Sequence, residues 1–161
     1  MAAASLVATA FGIIIILVTA YMLAGSTLAM TEVVTTAQKD MTELQVKMLG
    51  TSIQYVDSSV APDGTVYIEI ENNGREPINK YKYADVYLRD SLTREWHFFS
   101  YLDSDIPQNG LWTKKIENDN LYKNQWDPGE IINISVTYSG ITPDSLKVVT
   151  PNGISVSHNL P

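Results

Sequence analysis

The residues able to do chemistry in this sequence are few, and their spacing does not suit catalysis. Its two histidines, His97 and His158, lie far apart, and neither has a second histidine or a carboxylate at metal-ligand spacing. His97 is opposite in phase to Trp96 and Phe98 and reads as a surface or packing residue; His158 sits close to the end of the chain. The absence of cysteine removes disulfides, thiolate nucleophiles, zinc ribbons and iron–sulfur ligation together. Asp103-Ser104-Asp105 and Glu117-Asn118-Asp119-Asn120 are oxygen-rich, as a hard cation such as Ca²⁺ requires. Neither follows the spaced loop that ends in a bidentate Glu, so solvated loops are expected there. No GxSxG, P-loop, HExxH or GxGxxG pattern occurs. The expectation is a non-enzymatic protein with no catalytic residue, no metal, no cofactor and no small-molecule substrate. One modification signal is present: Asn133-Ile134-Ser135 is the only Asn-x-Ser/Thr sequon. Alternation turns Ile132, Ile134 and Val136 inward and Asn133 outward, which makes Asn133 a candidate glycosylation site if the domain is presented outside the cell.

The elements that must position these residues fall into two parts. The chain has 161 residues and a formal net charge of −7, from 11 Lys or Arg against 18 Asp or Glu. An acidic balance with no basic run longer than Lys114-Lys115 offers no electrostatic footprint for nucleic acid, where a basic face must displace counterions from phosphates. No charged residue occurs before Glu32. A helix of roughly 20 residues crosses the ~30 Å hydrocarbon core, so this segment is long enough to span a bilayer. A cleaved secretory signal fits less well, because it calls for a basic n-region and a shorter apolar run. The lack of Lys or Arg ahead of the apolar run predicts either a processed N-terminus at Met1 or no leader of that type.

Beyond Met30 the helical pattern persists but becomes amphipathic, with Val34, Ala37, Met41, Leu44 and Met48 at three- and four-residue spacing. Glu43 and Lys47 form an i,i+4 pair in the favourable order, and Gly50 is placed to end the helix. One helix over residues 1–50 is expected, about 70 Å long and more than twice the bilayer core. A signal anchor with a helical stalk would account for the apolar half. The stripe has no use in an anchor, and it predicts packing against copies of the same helix. Gly12 and Gly25 form no GxxxG pair and add little to that reading.

From Thr51 onward period-two alternation takes over. Strands are expected at Ser52 to Val56, Thr65 to Glu71, Ala84 to Arg89, Glu95 to Tyr101, Trp112 to Ile116, Ile131 to Tyr138, Ser145 to Thr150 and Gly153 to Ser157. Turn chemistry separates them, as in Pro62-Asp63-Gly64, Asn72-Asn73-Gly74, Asp127-Pro128-Gly129 and Pro151-Asn152-Gly153, the last joining a terminal hairpin. The expected fold class is α+β: one long N-terminal helix over 1–50, then an all-β immunoglobulin-like sandwich over 51–161.

This order of parts resembles the archaellin family, built on a type IV pilin-like helix, and the related archaellum accessory proteins of the F and G type. The similarity runs the whole length by architecture. More specific text lies in Gln38-Lys39-Asp40 leading through Leu44 and Met48 to the first strand, in the segment from Ile68 through Asn73-Gly74 to Ile78, in Asp127-Pro128-Gly129-Glu130, and in Val149-Thr150-Pro151-Asn152-Gly153. Bacterial type IV pilins usually carry Glu at the fifth mature position, whereas Ser5 stands here and is compatible with archaellins. The resemblance implies an extracellular filament subunit that waits in the membrane, is trimmed by a prepilin-type peptidase, and is assembled on the archaellum motor platform into a helical homopolymer for motility. Its filament core would take in Phe11, Ile14, Ile15, Leu17, Val18, Tyr21 and Leu23, with the sandwiches outside. The alternative is a membrane-anchored archaellum accessory protein whose sandwich binds the surface layer as part of a stator or bearing.

Overall fold

The computed structural model describes residues 2–160. One helix, α1 (Ala2–Gly50), precedes eight strands: β1 (Ile53–Val60), β2 (Val66–Asn72), β3 (Asp85–Asp90), β4 (Trp96–Tyr101), β5 (Leu111–Glu117), β6 (Ile131–Thr137), β7 (Pro143–Val149) and β8 (Ser155–Asn159). By its contacts the chain divides inside α1, into a unit ending at Glu43 and a unit beginning at Leu44.

The second unit is an eight-stranded sandwich. Its strands run in the order β1-β2-β6-β5-β4-β3-β7-β8, all antiparallel except β4 and β5, which meet in parallel over only Ser100↔Leu111 and Tyr101↔Trp112. That short parallel seam joins two four-stranded halves, and their inward side chains form one core. β2 contributes Val66, Ile68 and Ile70, β6 contributes Ile132, Ile134 and Val136, and β5 contributes Trp112. The other half supplies Val86, Leu88, Phe99, Leu146 and Val148. The alternation is strict in β2 and β6, where every second residue is buried, because these strands are paired on both edges and packed on one face.

All eight expected strands form, and β7 and β8 make the terminal hairpin through Pro151-Asn152-Gly153. Most boundaries differ from expectation by a residue or two, and at two of them the structure shows the cause. β1 continues to Val60, past a bulge between Tyr55 and Asp57 that shifts the phase of the alternation and so hides the second half of the strand. β8 begins at Ser155 rather than Gly153, because Thr150 N–H donates to Ile154 O at 2.8 Å and Gly153 adopts φ +86° inside the turn.

Close backbone approach fixes the junction between the end of α1 and the sandwich. Thr51 N–H and its hydroxyl both donate to Lys47 O, at 3.0 and 2.8 Å. Arg75 and Glu76 N–H donate to Gly50 O at 2.7 and 3.2 Å. Asn152 Nδ2 donates to Thr51 Oγ1 at 2.6 Å, which ties the β7–β8 turn to the same point. The helix therefore ends on carbonyls satisfied by the sandwich itself.

Candidate functional surfaces: an apolar helix and two unlike sheet faces

The first unit consists of helix alone, and its apolar side chains are open. Phe11, Ile14, Ile15, Leu17, Val18, Tyr21 and Leu23 are all exposed, Tyr21 to 82%. They do not gather into one site. At about 100° per residue the consecutive run Ile13-Ile14-Ile15-Ile16-Leu17-Val18 covers the whole circumference. From Ser5 onward α1 has the length and composition to cross a membrane. The stripe residues Val34, Ala37, Met41, Leu44 and Met48 are also exposed, and at the same helical angle they fall within an arc of about 80°.

Hydroxyls placed on such a helix would be costly in an apolar medium if left unpaired, by roughly 1–3 kcal/mol each. The helix itself satisfies those of Thr9, Thr19, Ser26, Thr27 and Thr31. Thr9 donates to Ser5 O at 2.8 Å, Thr19 to Ile15 O at 2.9 Å, and Thr27 to Leu23 O at 2.8 Å. Ser26 donates to Leu23 O at 3.0 Å, and Thr31 to Thr27 O at 2.9 Å. These polar residues therefore need no polar partner outside α1.

In the sandwich the candidate chemical groups are scattered or internally served. His158 stacks on Tyr55 with ring centroids 3.7 Å apart, where β8 meets β1. His97 lies opposite Leu88 on the inward side of β4, with a buried Nε2. The larger rings flanking it, Trp96 and Phe98, point outward. Asp103, Asp105 and Asp119 do converge, and their shared cation is the chain's own Lys114. Its ammonium lies 4.5 Å from the Tyr81 ring centroid and 3.4 Å from Asn124 Oδ1. Burial pushes the Lys114 pKa down, and the three carboxylates oppose that shift. Tyr101 donates to Asp103 Oδ1 at 2.9 Å at the edge of this depression, and burial followed by that carboxylate pushes its phenol well above the ordinary range. Among the described residues no group of three His, Cys, Asp or Glu is arranged to hold a metal ion.

The outer faces of the two half-sheets differ in chemistry. On β1-β2-β6-β5, register aligns Asp57, Glu69, Asn133 and Lys115 in one row and Gln54, Glu71, Ile131 and Glu117 in the next. Asn133 is half-buried there, and its Nδ2 donates to Glu69 Oε1 at 3.5 Å. On β4-β3-β7-β8, Phe98, Tyr87, Lys147 and Ser157 form one row and Trp96, Arg89, Ser145 and Asn159 another. Trp96 and Phe98 are 46% and 53% exposed. The Arg89 guanidinium lies 5.7 Å from the Trp96 ring centroid, and Arg89 Nε donates to Asp144 Oδ1 at 2.8 Å. Asp144 is held below its usual pKa, chiefly by that hydrogen bond. The sequence signal for the aromatic face was the alternation around His97, which fixes the phase of β4 but not which phase faces the core.

The architecture is a single helix long and apolar enough to cross a membrane, followed by a β-sandwich with two unlike outer faces. The family model for archaeal-type flagellin matches residues 3–159. The chain belongs to the archaeal-type flagellin family and is thereby a structural, cell-surface protein of the archaellum, the archaeal motility apparatus. Among solved structures, the archaellum periplasmic stator protein FlaG from Sulfolobus acidocaldarius is similar at TM-score 0.52 and 22% identity, over 68% of this chain and 99% of that one. The FlaF and FlaG stator complex from the same organism is similar at TM-score 0.51 and 21% identity, over 67% of this chain and 87% of that one. At these identities the likeness shows the fold alone. No curated protein gives a significant sequence match.

Proposed function

We propose that this chain is the repeating subunit of an archaellum filament, with α1 packed among copies of itself in the filament core and the sandwich on the outside. The observation that carries this reading is an apolar surface that surrounds the first part of α1 completely, has the hydroxyls of Thr9, Thr19, Ser26 and Thr27 satisfied within the helix, and then narrows to a stripe. A helix apolar on every face is stable only in lipid or among similar helices, and the stripe continues past the length a bilayer can cover. Burying a large apolar side chain contributes about 1.5–3 kcal/mol, so the seven residues from Phe11 to Leu23 named above supply on the order of 10 kcal/mol per subunit before association costs. In this reading the membrane holds the subunit before assembly, a prepilin-type peptidase processes it, and the archaellum motor platform polymerises it.

A core substitution tests the reading. Ile15→Asp, or Phe11→Asp, forces a charge into the helix bundle at a cost of several kcal/mol. Either variant should lose filaments while the detergent-solubilised chain keeps its helical and β circular dichroism. Filaments of normal length from either variant would refute the proposal. The runner-up is an accessory archaellum protein present in few copies, whose sandwich binds the surface layer. It is favoured by the Asn73-Gly74 and Pro128-Gly129 phrases, which resemble the accessory type as well as archaellins.

A further inference from the structure

The two outer sheet faces are opposite in character, and within the described residues neither has a partner. The β1-β2-β6-β5 face carries Asp57, Glu69, Glu71 and Glu117 against the single cation Lys115. Asp57 and Glu69 stand directly opposite each other, a like-charge arrangement that is unfavourable unless a cation approaches. The β4-β3-β7-β8 face combines the exposed rings of Trp96 and Phe98 with Arg89, Arg94 and Lys147; Asp144 engages the two arginines, and Asp85, bonded by the Tyr87 hydroxyl, is the other acid of this face. Exposed aromatic rings flanked by arginine are the composition enriched in the centres of protein interfaces.

Resting on the filament reading above, we propose that the aromatic, cation-bearing sheet face of one sandwich docks on the acidic sheet face of the next copy along the filament. Charge complementarity selects this pairing. Acidic face against acidic face would oppose four carboxylates to four, and aromatic against aromatic would leave the Lys147 of each copy without the acidic rows that the other face offers. A contact between two unlike patches is also the only kind that propagates. It leaves one free face of each type at the ends, whereas a patch that pairs with itself closes as a two-fold dimer. The acids at Asp57 and Glu69 would then meet the Lys147 row, and Trp96 and Phe98 would leave water. Asn133 lies in the middle of the acidic face, beside Glu69, so the docked face has no room for a glycan there.

Because the chain has no cysteine, introduced thiols report this contact without background. Filaments are assembled from the full chain carrying Ser157→Cys on the aromatic face, Ser135→Cys on the acidic face, or both, and treated with a flexible bismaleimide. The double variant should give a ladder of multimers on a denaturing gel, an equal copolymer of the two single variants should give dimers, and each single variant should give monomer alone. Dimers from Ser157→Cys alone would reveal a self-pairing face and overturn the proposal, as would double-variant filaments that yield no ladder. Charge exchange provides a second readout. Lys147→Glu should lower the temperature at which filaments dissociate, and combining it with Glu69→Lys should restore it; failure to restore overturns the pairing. A glycan on Asn133 in assembled filaments would overturn it as well. If the unsubstituted chain forms no filaments, the filament reading itself fails, an outcome visible before any cross-linker is added.

Discussion

Gly74 shows how one missing methyl group can hold the helix junction together. Its φ is not in the left-handed region, so an alanine there is not strained by its own backbone. A Cβ at this position would instead lie 2.5 Å from Ser52 N, 2.6 Å from Gly50 O and 3.1 Å from the Thr51 carbonyl carbon. All three are backbone atoms of the segment that ends α1 and starts β1, so nothing can rotate out of the way. Making room requires the junction to retreat from Asn73-Gly74-Arg75, and that weakens the Arg75 and Glu76 N–H bonds to Gly50 O. Overpacking costs about 1–3 kcal/mol. Two weakened backbone hydrogen bonds add about 0.5–1.5 kcal/mol each, so Gly74→Ala should lose about 2–6 kcal/mol. Gly50→Ala is the control. Its Cβ would meet Glu76 Cγ at 2.7 Å, the stem of a flexible side chain that can swing aside. Exchanging glycine for alanine within a helix also returns up to about 1 kcal/mol. Urea unfolding of the detergent-solubilised full chain, followed by near-ultraviolet circular dichroism, should therefore separate the two: a large loss for Gly74→Ala and less than about 1 kcal/mol either way for Gly50→Ala. Equal effects, or a Gly74→Ala change within about 0.5 kcal/mol, would refute the close-approach reasoning.

Ile68 is fully buried at the centre of β2, and Ile68→Ala should cost about 2–5 kcal/mol in the same unfolding assay; a loss below 1 kcal/mol would mean the core is not packed as described. Asp90 offers a pH test. Burial alone would raise its carboxyl, but hydrogen bonds from Leu92 N–H, Thr142 N–H and the Thr93 hydroxyl outweigh this and hold it below the ordinary value. A folded-state pKa below the unfolded one contributes stability that is present at neutral pH and is lost as pH falls through the folded value. Asp90→Asn should therefore lower Tm at pH 7, with the gap to the unsubstituted chain closing below about pH 4; a gap that stays constant with pH would contradict this.

The elements were largely written in the sequence, because two periods do not overlap: a charge-free segment of all-round apolarity and, after Gly50, an alternation with period two. Strands β2 and β6 are the clearest instances, since each is buried on one face and paired on both edges, so the pattern Val66, Ile68, Ile70 has only one reading. The extension of β1 to Val60 was not legible, because the bulge at Val56 breaks the phase and Asp57-Ser58-Ser59 carries no apolar marker. The orientation of β4 was also hidden. His97 and Phe99 against Trp96 and Phe98 offers apolar residues on both faces, and only the pairing with β3 and the packing beneath it decide that the indole faces water. The convergence of Asp103, Asp105 and Asp119 on Lys114 was not legible either, since it requires the loops before and after β5 to fold back onto that strand. The helix surface is a different case. Its composition announced exposure to something other than water, while the identity of that surrounding is a property of the assembly and lies outside any single chain.

The central claim is that this chain is the building block of a filament, and the composition of sheared appendages tests it most directly. Extracellular filaments removed by shear, purified and analysed by quantitative mass spectrometry should consist chiefly of this chain. Filaments that contain it only in trace amounts, with the bulk retained in the membrane fraction, would contradict the account and favour an accessory role.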